Sequence, residues 1–156
     1  MVNYVKGNLL DSDCDYICHQ VNCQGVMGSG IAKQIRERWP FVFTSYQNYC
    51  SRHLGPSNDL LGNIWGVRID DSRWVVNMFS QDNFGYDGSR FTSYDAFAKC
   101  LTAIRNRLSQ NVTIGFPKNI GCGLGGGNWK VISALIEEIL GKDYEVYIYE
   151  YDPKED

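Results

Sequence analysis

The sequence has no apolar run approaching the roughly 20 residues that span a bilayer. It also lacks a basic-then-apolar leader, since Met1-Val2-Asn3-Tyr4-Val5-Lys6 reads as a strand. Membrane insertion and secretion are therefore not expected, and a cytoplasmic protein is. Metal-ligand patterns are missing too: there are two histidines and six cysteines, with no CxxC pair. Cys18-His19 followed by Cys23 has the residue types of a ligand set, but neighbours on a strand point to opposite faces. No metal and no cofactor is expected, and the thiols read as reduced core or loop residues. A basic excess is absent as well, with 15 Lys and Arg against 18 Asp and Glu and a pI near 5.3. That argues against a non-specific nucleic-acid surface. It leaves open a small anion held by backbone amides, which needs few basic side chains. Without repeats, low-complexity tracts or linkers, residues 1–156 are expected to form one domain with a core of its own.

What the chain does have is glycine, concentrated in one place. Gly121-Cys122-Gly123-Leu124-Gly125-Gly126-Gly127 carries five glycines in seven residues, between a short apolar run and a helical pattern. Glycine permits positive φ and lets a ligand approach the main chain closely. A helix N-terminus just behind it supplies free N–H groups and the positive end of a dipole, which suits a phosphate. A flexible turn is the plainer alternative, though a plain turn seldom needs so many glycines.

The rest of the chain alternates strands and helices. Val2 to Lys6 reads as a strand followed by a polar loop. Tyr16 to Val21 reads as a strand covered on both faces. Asn22-Cys23-Gln24-Gly25-Val26-Met27-Gly28-Ser29-Gly30 is a second glycine-bearing loop, and it feeds a helix from Ile31 to Arg38. A further helix spans Phe41 to Cys50, with Pro40 in its first turn. Gly55-Pro56-Ser57-Asn58 reads as a turn. Leu61 to Ile69 and Arg73 to Phe79 form a hairpin around Asp70-Asp71-Ser72. Ser80 to Arg90 reads as a mobile surface loop. Ser93 caps a helix whose apolar residues, Phe97, Leu101 and Ile104 among them, follow the helical period. Thr113 to Phe116, Trp129 to Leu140 and Tyr144 to Tyr151 give strand, helix and strand, and Asp152 to Asp156 is a charged tail. The expected fold class is a three-layer α/β/α sandwich with a mixed central sheet.

Common nucleotide motifs do not account for the glycines. Gly121, Gly123 and Gly126 satisfy G-x-G-x-x-G, but that fingerprint should open a βαβ unit with an acidic residue about 20 positions later. Only one helix and one strand remain here. A phosphate-binding P-loop fails as well, because Gly126 is followed by Gly127-Asn128 where Lys and Ser or Thr are required. Two loops, each leaving a strand and entering a helix, can instead sit side by side and bracket a ligand's phosphates.

Three segments carry a resemblance: Lys6-Gly7-Asn8-Leu9, the stretch from His19-Gln20-Val21-Asn22 to Gly28-Ser29-Gly30-Ile31-Ala32, and Pro117-Lys118-Asn119-Ile120-Gly121-Cys122-Gly123-Leu124. In order and spacing the chain resembles the macrodomain family. Within it, the chain is similar to the branch of ADP-ribose 1″-phosphate phosphatases and terminal ADP-ribose glycohydrolases. The resemblance implies a pocket for ADP-ribose or a derivative, free or on an ADP-ribosylated macromolecule. It further implies hydrolysis at the distal ribose, with a non-catalytic reader of ADP-ribose as the alternative. Asn8, with Leu9 beside it, matches the position where many macrodomains place an adenine-binding aspartate. Asn22 matches the asparagine facing the distal ribose. Gly28, Ser29, Gly30 and Ile31 match the first phosphate loop, and Ile120, Gly121, Cys122, Gly123, Leu124 and Gly125 match the second. Lysine-dependent glycohydrolases of the branch carry a lysine in the strand before the polar loop and an aspartate after Gly-Cys-Gly-Leu. Here no lysine lies between Val75 and Ala98, and Gly125 follows Leu124, so that mechanism is not expected.

Candidate catalytic side chains each have a plainer alternative. Asn22 orients the ribose or a water, or else caps its own loop. His19 has a pKa suited to acid–base work, or is a satisfied core histidine. Asp82 activates water, or is a solvated loop carboxylate. Phe79, Phe84 and Tyr86 pack on the ligand, or simply on the protein. Cys122 keeps the glycine loop tight, and its place near a helix start could lower its thiol pKa.

Overall fold

The computed structural model describes residues 1–53, 59–85, 87 and 89–151. The expected turn at Gly55 to Asn58, the charged tail and Tyr86 lie outside the described residues. Ten regular elements follow in order: β1 (Val2–Lys6), β2 (Tyr16–Asn22), α1 (Gly30–Arg38), α2 (Pro40–Ser51), β3 (Ile64–Arg68), β4 (Trp74–Gln81), α3 (Tyr94–Arg107), β5 (Thr113–Pro117), α4 (Trp129–Ile139) and β6 (Glu145–Glu150). A 3-10 turn, Leu9–Asp11, occupies part of the expected polar loop. Three residues are too few for a period to show.

The strands form one sheet in the order β1-β6-β5-β2-β4-β3. β3 pairs antiparallel with β4, as the hairpin pattern required, and all other pairs are parallel. Parallel neighbours need crossovers, and the helices supply them on both faces. On one face Ile35 of α1 and Val42 and Tyr46 of α2 pack with Ile17, Val21, Val75 and Phe79. On the other, Phe97, Leu101 and Ile104 of α3 join Ile132 and Ile136 of α4 over Cys18, Val76, Met78 and Phe116. The architecture is the expected α/β/α sandwich.

Alternation along β2 and β4 decides which side chain enters which layer. Cys18 enters the α3/α4 layer, whereas Ile17 and Val21, two residues either side of His19, enter the α1/α2 layer. Near its end β4 gains a residue: Val21 pairs with Phe79 but Asn22 pairs with Gln81, so Ser80 is left over as a bulge. Ser80 and Gln81 therefore belong to the sheet and not to the loop expected there. All five parallel strands point their C-terminal ends to one edge, and β2 lies between β5 and β4 there, a usual place for a ligand crevice. Among the described residues no helix is long and apolar enough to cross a membrane.

Candidate functional site

At that edge a cleft of about 440 Å³ opens over the ends of β5, β2 and β4. Its walls are the two glycine loops. Gly28, Ser29, Gly30 and Ile31 form one, and Ile120, Gly121, Gly123, Leu124 and Gly125 form the other. Gln20, Asn22 and Gln81 also line it, as do Phe84 and Lys118.

The first loop is shaped by Asn22. Its Oδ1 accepts from the N–H of Gln24 (3.0 Å) and of Val26 (3.4 Å), and its Nδ2 donates to the Val26 carbonyl (2.9 Å). The Tyr46 hydroxyl lies 2.6 Å from the Asn22 carbonyl oxygen and 2.8 Å from Oδ1. Burial pushes the Tyr46 phenol pKa up, so it stays a donor. Asn22 thus caps its own loop, the plainer of the two alternatives drawn from sequence, and it also forms part of the cleft wall. The loop delivers the chain to α1 at Ser29, which occupies the N-cap position without a side-chain hydrogen bond. Among the described residues the N–H groups of Gly28, Ser29, Gly30 and Ile31 find no acceptor. The helix thus opens into the cleft with uncapped donors and the positive dipole end.

The second loop folds on itself. Gly127 N–H donates to the Gly121 carbonyl (2.8 Å) and Gly126 N–H to that of Gly123 (3.0 Å). Gly121 and Gly126 sit at φ of 74° and 73°, a region that disfavours other residues. The N–H groups of Gly123, Leu124 and Gly125 donate to nothing among the described residues. A Cβ built on Gly123 meets no atom within 4 Å, whereas one on Gly125 would lie 2.5 Å from Thr92 Oγ1. Glycine at 123 leaves space in the cleft; glycine at 125 lets the loop lie against the protein. Two rows of unpaired N–H donors facing one cleft suit a diphosphate.

Several expected site residues lie elsewhere. His19 is fully buried, with Nε2 2.6 Å from Asn77 Oδ1 and Nδ1 without a partner. Burial holds its pKa down at about 4, partly opposed by the Asn77 hydrogen bond, so it is neutral near pH 7 and away from the cleft. Asp82 does not line the cleft either. Its carboxylate and carbonyl oxygens accept from the Gln24 amide, and its carbonyl also takes the Cys23 N–H. Phe79 is buried in the α1/α2 layer between Tyr46 and Tyr49, at centroid distances of 5.7 and 5.5 Å, leaving Phe84 as the aromatic at the cleft among the described residues. Leu9 is core, and Asn8 caps the 3-10 turn by accepting from Leu10 N–H at 3.0 Å; neither lines the cleft. Cys122 turns its thiol to the Ile120 carbonyl, and burial raises its pKa instead of lowering it. Lys118 is the sole titratable side chain among the lining residues, and its Nζ lies 3.4 Å from a Glu150 oxygen. No three His, Cys, Asp or Glu side chains among the described residues are grouped to hold a metal ion. Sequence reasoning gave no role to Gln20 or Thr92, because their side-chain partners lie 29 to 72 residues away.

No family model matches the chain. The DNA ADP-ribosyl glycohydrolase of Mycobacterium tuberculosis is 29% identical over 154 residues, covering 96% of this chain and 42% of that protein. The chain thus spans about two-fifths of that relative's length. An ADP-ribose 1″-phosphate phosphatase of Scheffersomyces stipitis is 25% identical and matches over 95% of this chain and 99% of its own. Among solved structures, the macrodomain of Thermus aquaticus DarG superposes with a TM-score of 0.77 at 25% identity, covering 98% of this chain and 99% of that one. In its sheet edge with two facing glycine loops, and along nearly the whole chain, the protein is similar to macrodomains.

Proposed function

We propose that the chain binds ADP-ribose across the cleft and hydrolyses an adduct at its distal ribose, such as ADP-ribose 1″-phosphate or an ADP-ribosylated macromolecule, without a metal. The carrying observation is the pair of glycine loops lining one cleft, whose N–H groups are unpaired among the described residues. They would hold the diphosphate, while Asn22, fixed by Tyr46 and its own loop, would place the distal ribose. Catalysis on this reading comes from positioning and fixed dipoles. The names of the two hydrolase relatives support it. Residues 1–156 act as one macrodomain, working in the cytoplasm.

One observation favours a second reading, a reader that binds without turnover. Among the described lining residues there is no carboxylate, imidazole or thiol, and Lys118 is engaged with Glu150. Calorimetric titration with ADP-ribose tests both; absence of binding at millimolar ligand overturns both. Incubation with ADP-ribose 1″-phosphate, read as phosphate release, and with an ADP-ribosylated oligonucleotide, read as ADP-ribose release, then separates enzyme from reader.

A further inference from the structure

Below the second loop lies a set of uncharged polar side chains from three parts of the chain. Gln20 on β2 is its hub. Its Oε1 accepts from the Ser80 hydroxyl at 2.6 Å, and its Nε2 donates to Gln81 Oε1 and Thr92 Oγ1, both at 2.9 Å. The Thr92 hydroxyl in turn donates to the Gly121 carbonyl at 2.7 Å. The donors therefore run in one direction, from the bulge at Ser80 through the sheet and into the loop. Thr92 is buried and bridges Gln81 through the backbone. Its N–H, with that of Phe91, also donates to the Gly125 carbonyl, at 2.9 and 2.7 Å.

The second loop is thus held at two points, Gly121 and Gly125, and Thr92 is present at both. Between them lie Gly123 and Leu124, whose N–H groups donate to nothing among the described residues. The fit is close: a Cβ on Gly125 would come within 2.5 Å of Thr92 Oγ1 and 2.9 Å of Gln20 Nε2. An apolar floor could fill the same volume but would not fix the direction of a carbonyl. Satisfied polar networks specify one arrangement where packing alone permits several.

We propose that Gln20 and Thr92 are positioning residues that set the second glycine loop in its ligand-receiving shape, and that Gln81 is a ligand contact held in place by the same network. Gln81 lines the cleft, and after donating to the Asn83 carbonyl at 2.7 Å its Nε2 retains one N–H. That N–H suits an oxygen acceptor at the β4 end of the cleft, beyond Asn22. The ligand part of this proposal rests on the ADP-ribose reading; the shaping of the loop does not.

The test compares Thr92→Val, which removes the hydroxyl at nearly constant shape, with Thr92→Ser, which keeps it. Gln20→Met is the second disabling variant. Amide hydrogen exchange on ligand-free protein reads the loop itself. Thr92→Val and Gln20→Met should speed exchange of the Gly127 amide about tenfold, with Thr92→Ser within about twofold of the wild type. Calorimetry with ADP-ribose should show about tenfold weaker binding for the two disabling variants and near-normal binding for Thr92→Ser. Gln81→Met should weaken binding while leaving Gly127 exchange unchanged. Wild-type exchange in Thr92→Val, or identical behaviour of the Val and Ser variants, overturns the positioning role. Full affinity in Gln81→Met overturns its contact. If the wild type itself fails to bind, the ADP-ribose reading and the Gln81 contact fall, and the exchange data alone decide the positioning role.

Discussion

Two neighbouring glycines should respond to alanine in opposite ways. At Gly125 the new methyl would meet Thr92 Oγ1, the Gly121 carbonyl and Gln20 Nε2 at 2.5, 2.8 and 2.9 Å, none of them a loose side-chain end. Overpacking of this kind costs about 1–3 kcal/mol. Reduced freedom of the unfolded chain returns about 0.4–1 kcal/mol. The net loss, about 1–2 kcal/mol, lowers Tm by about 2–8 °C in a domain of this size. At Gly123 the methyl meets nothing within 4 Å and φ lies outside the left-handed region, so only the favourable entropy remains. Gly123→Ala should hold or slightly raise Tm. With ligand the order reverses. ADP-ribose at 100 times Kd adds about 2.7 kcal/mol to the wild type, a rise of about 5–11 °C. Gly123→Ala should forfeit most of that rise, because its methyl occupies space the diphosphate needs. Thermal melts of the three proteins with and without ADP-ribose suffice. A full ligand-induced rise in Gly123→Ala, or an unchanged Tm in Gly125→Ala, would refute the division into cleft glycines and packed ones.

Other expectations follow from the displaced residues. Phe79→Ala should lose about 3–5 kcal/mol in urea unfolding, whereas Phe84→Ala should stay within about 0.5 kcal/mol of the wild type and weaken ADP-ribose binding by calorimetry. Tyr46→Phe removes the donor shared by the two Asn22 oxygens and should cost about 1–1.5 kcal/mol in the same unfolding assay. His19 has a folded pKa of about 4 against 6.5 for the free side chain, so between those values the unfolded chain takes up a proton that the native one refuses. Stability is therefore complete above about pH 7 and falls as pH drops, by about 2–3 kcal/mol at pH 4.5. Urea midpoints across that window should flatten in His19→Gln; an unchanged slope would discount the histidine.

The layers and the succession of strands and helices were legible because period 3.6 in α3 and α4 and the near-continuous apolar runs of β2 and β5 each admit one assignment. The glycine loops were legible as walls because no other residue provides so many open amides. Side-chain direction at the strand ends was not legible. β4 is buried on both faces over most of its length, so hydrophobicity could not say that Phe79 faces Tyr46 and Tyr49 instead of the ligand. The bulge at Ser80 has no compositional mark either, yet it sets how β4 meets the cleft. Gln20 and Thr92 escaped notice because a hydrogen bond across 72 residues exists only after β2, β4 and the segment before α3 are assembled.

The bare entrance to α1 has a thermodynamic corollary. α3 and α4 close their first turns with Ser93 and Asn128, whose side chains accept the N–H of Ala96 and Lys130. α1 has no such closure at Ser29. A bound phosphate would act as the missing cap, so the ligand would complete a helix as well as occupy a cleft. The first turn of α1 should then fray in the empty protein and gain amide protection on binding, coupling affinity directly to local folding.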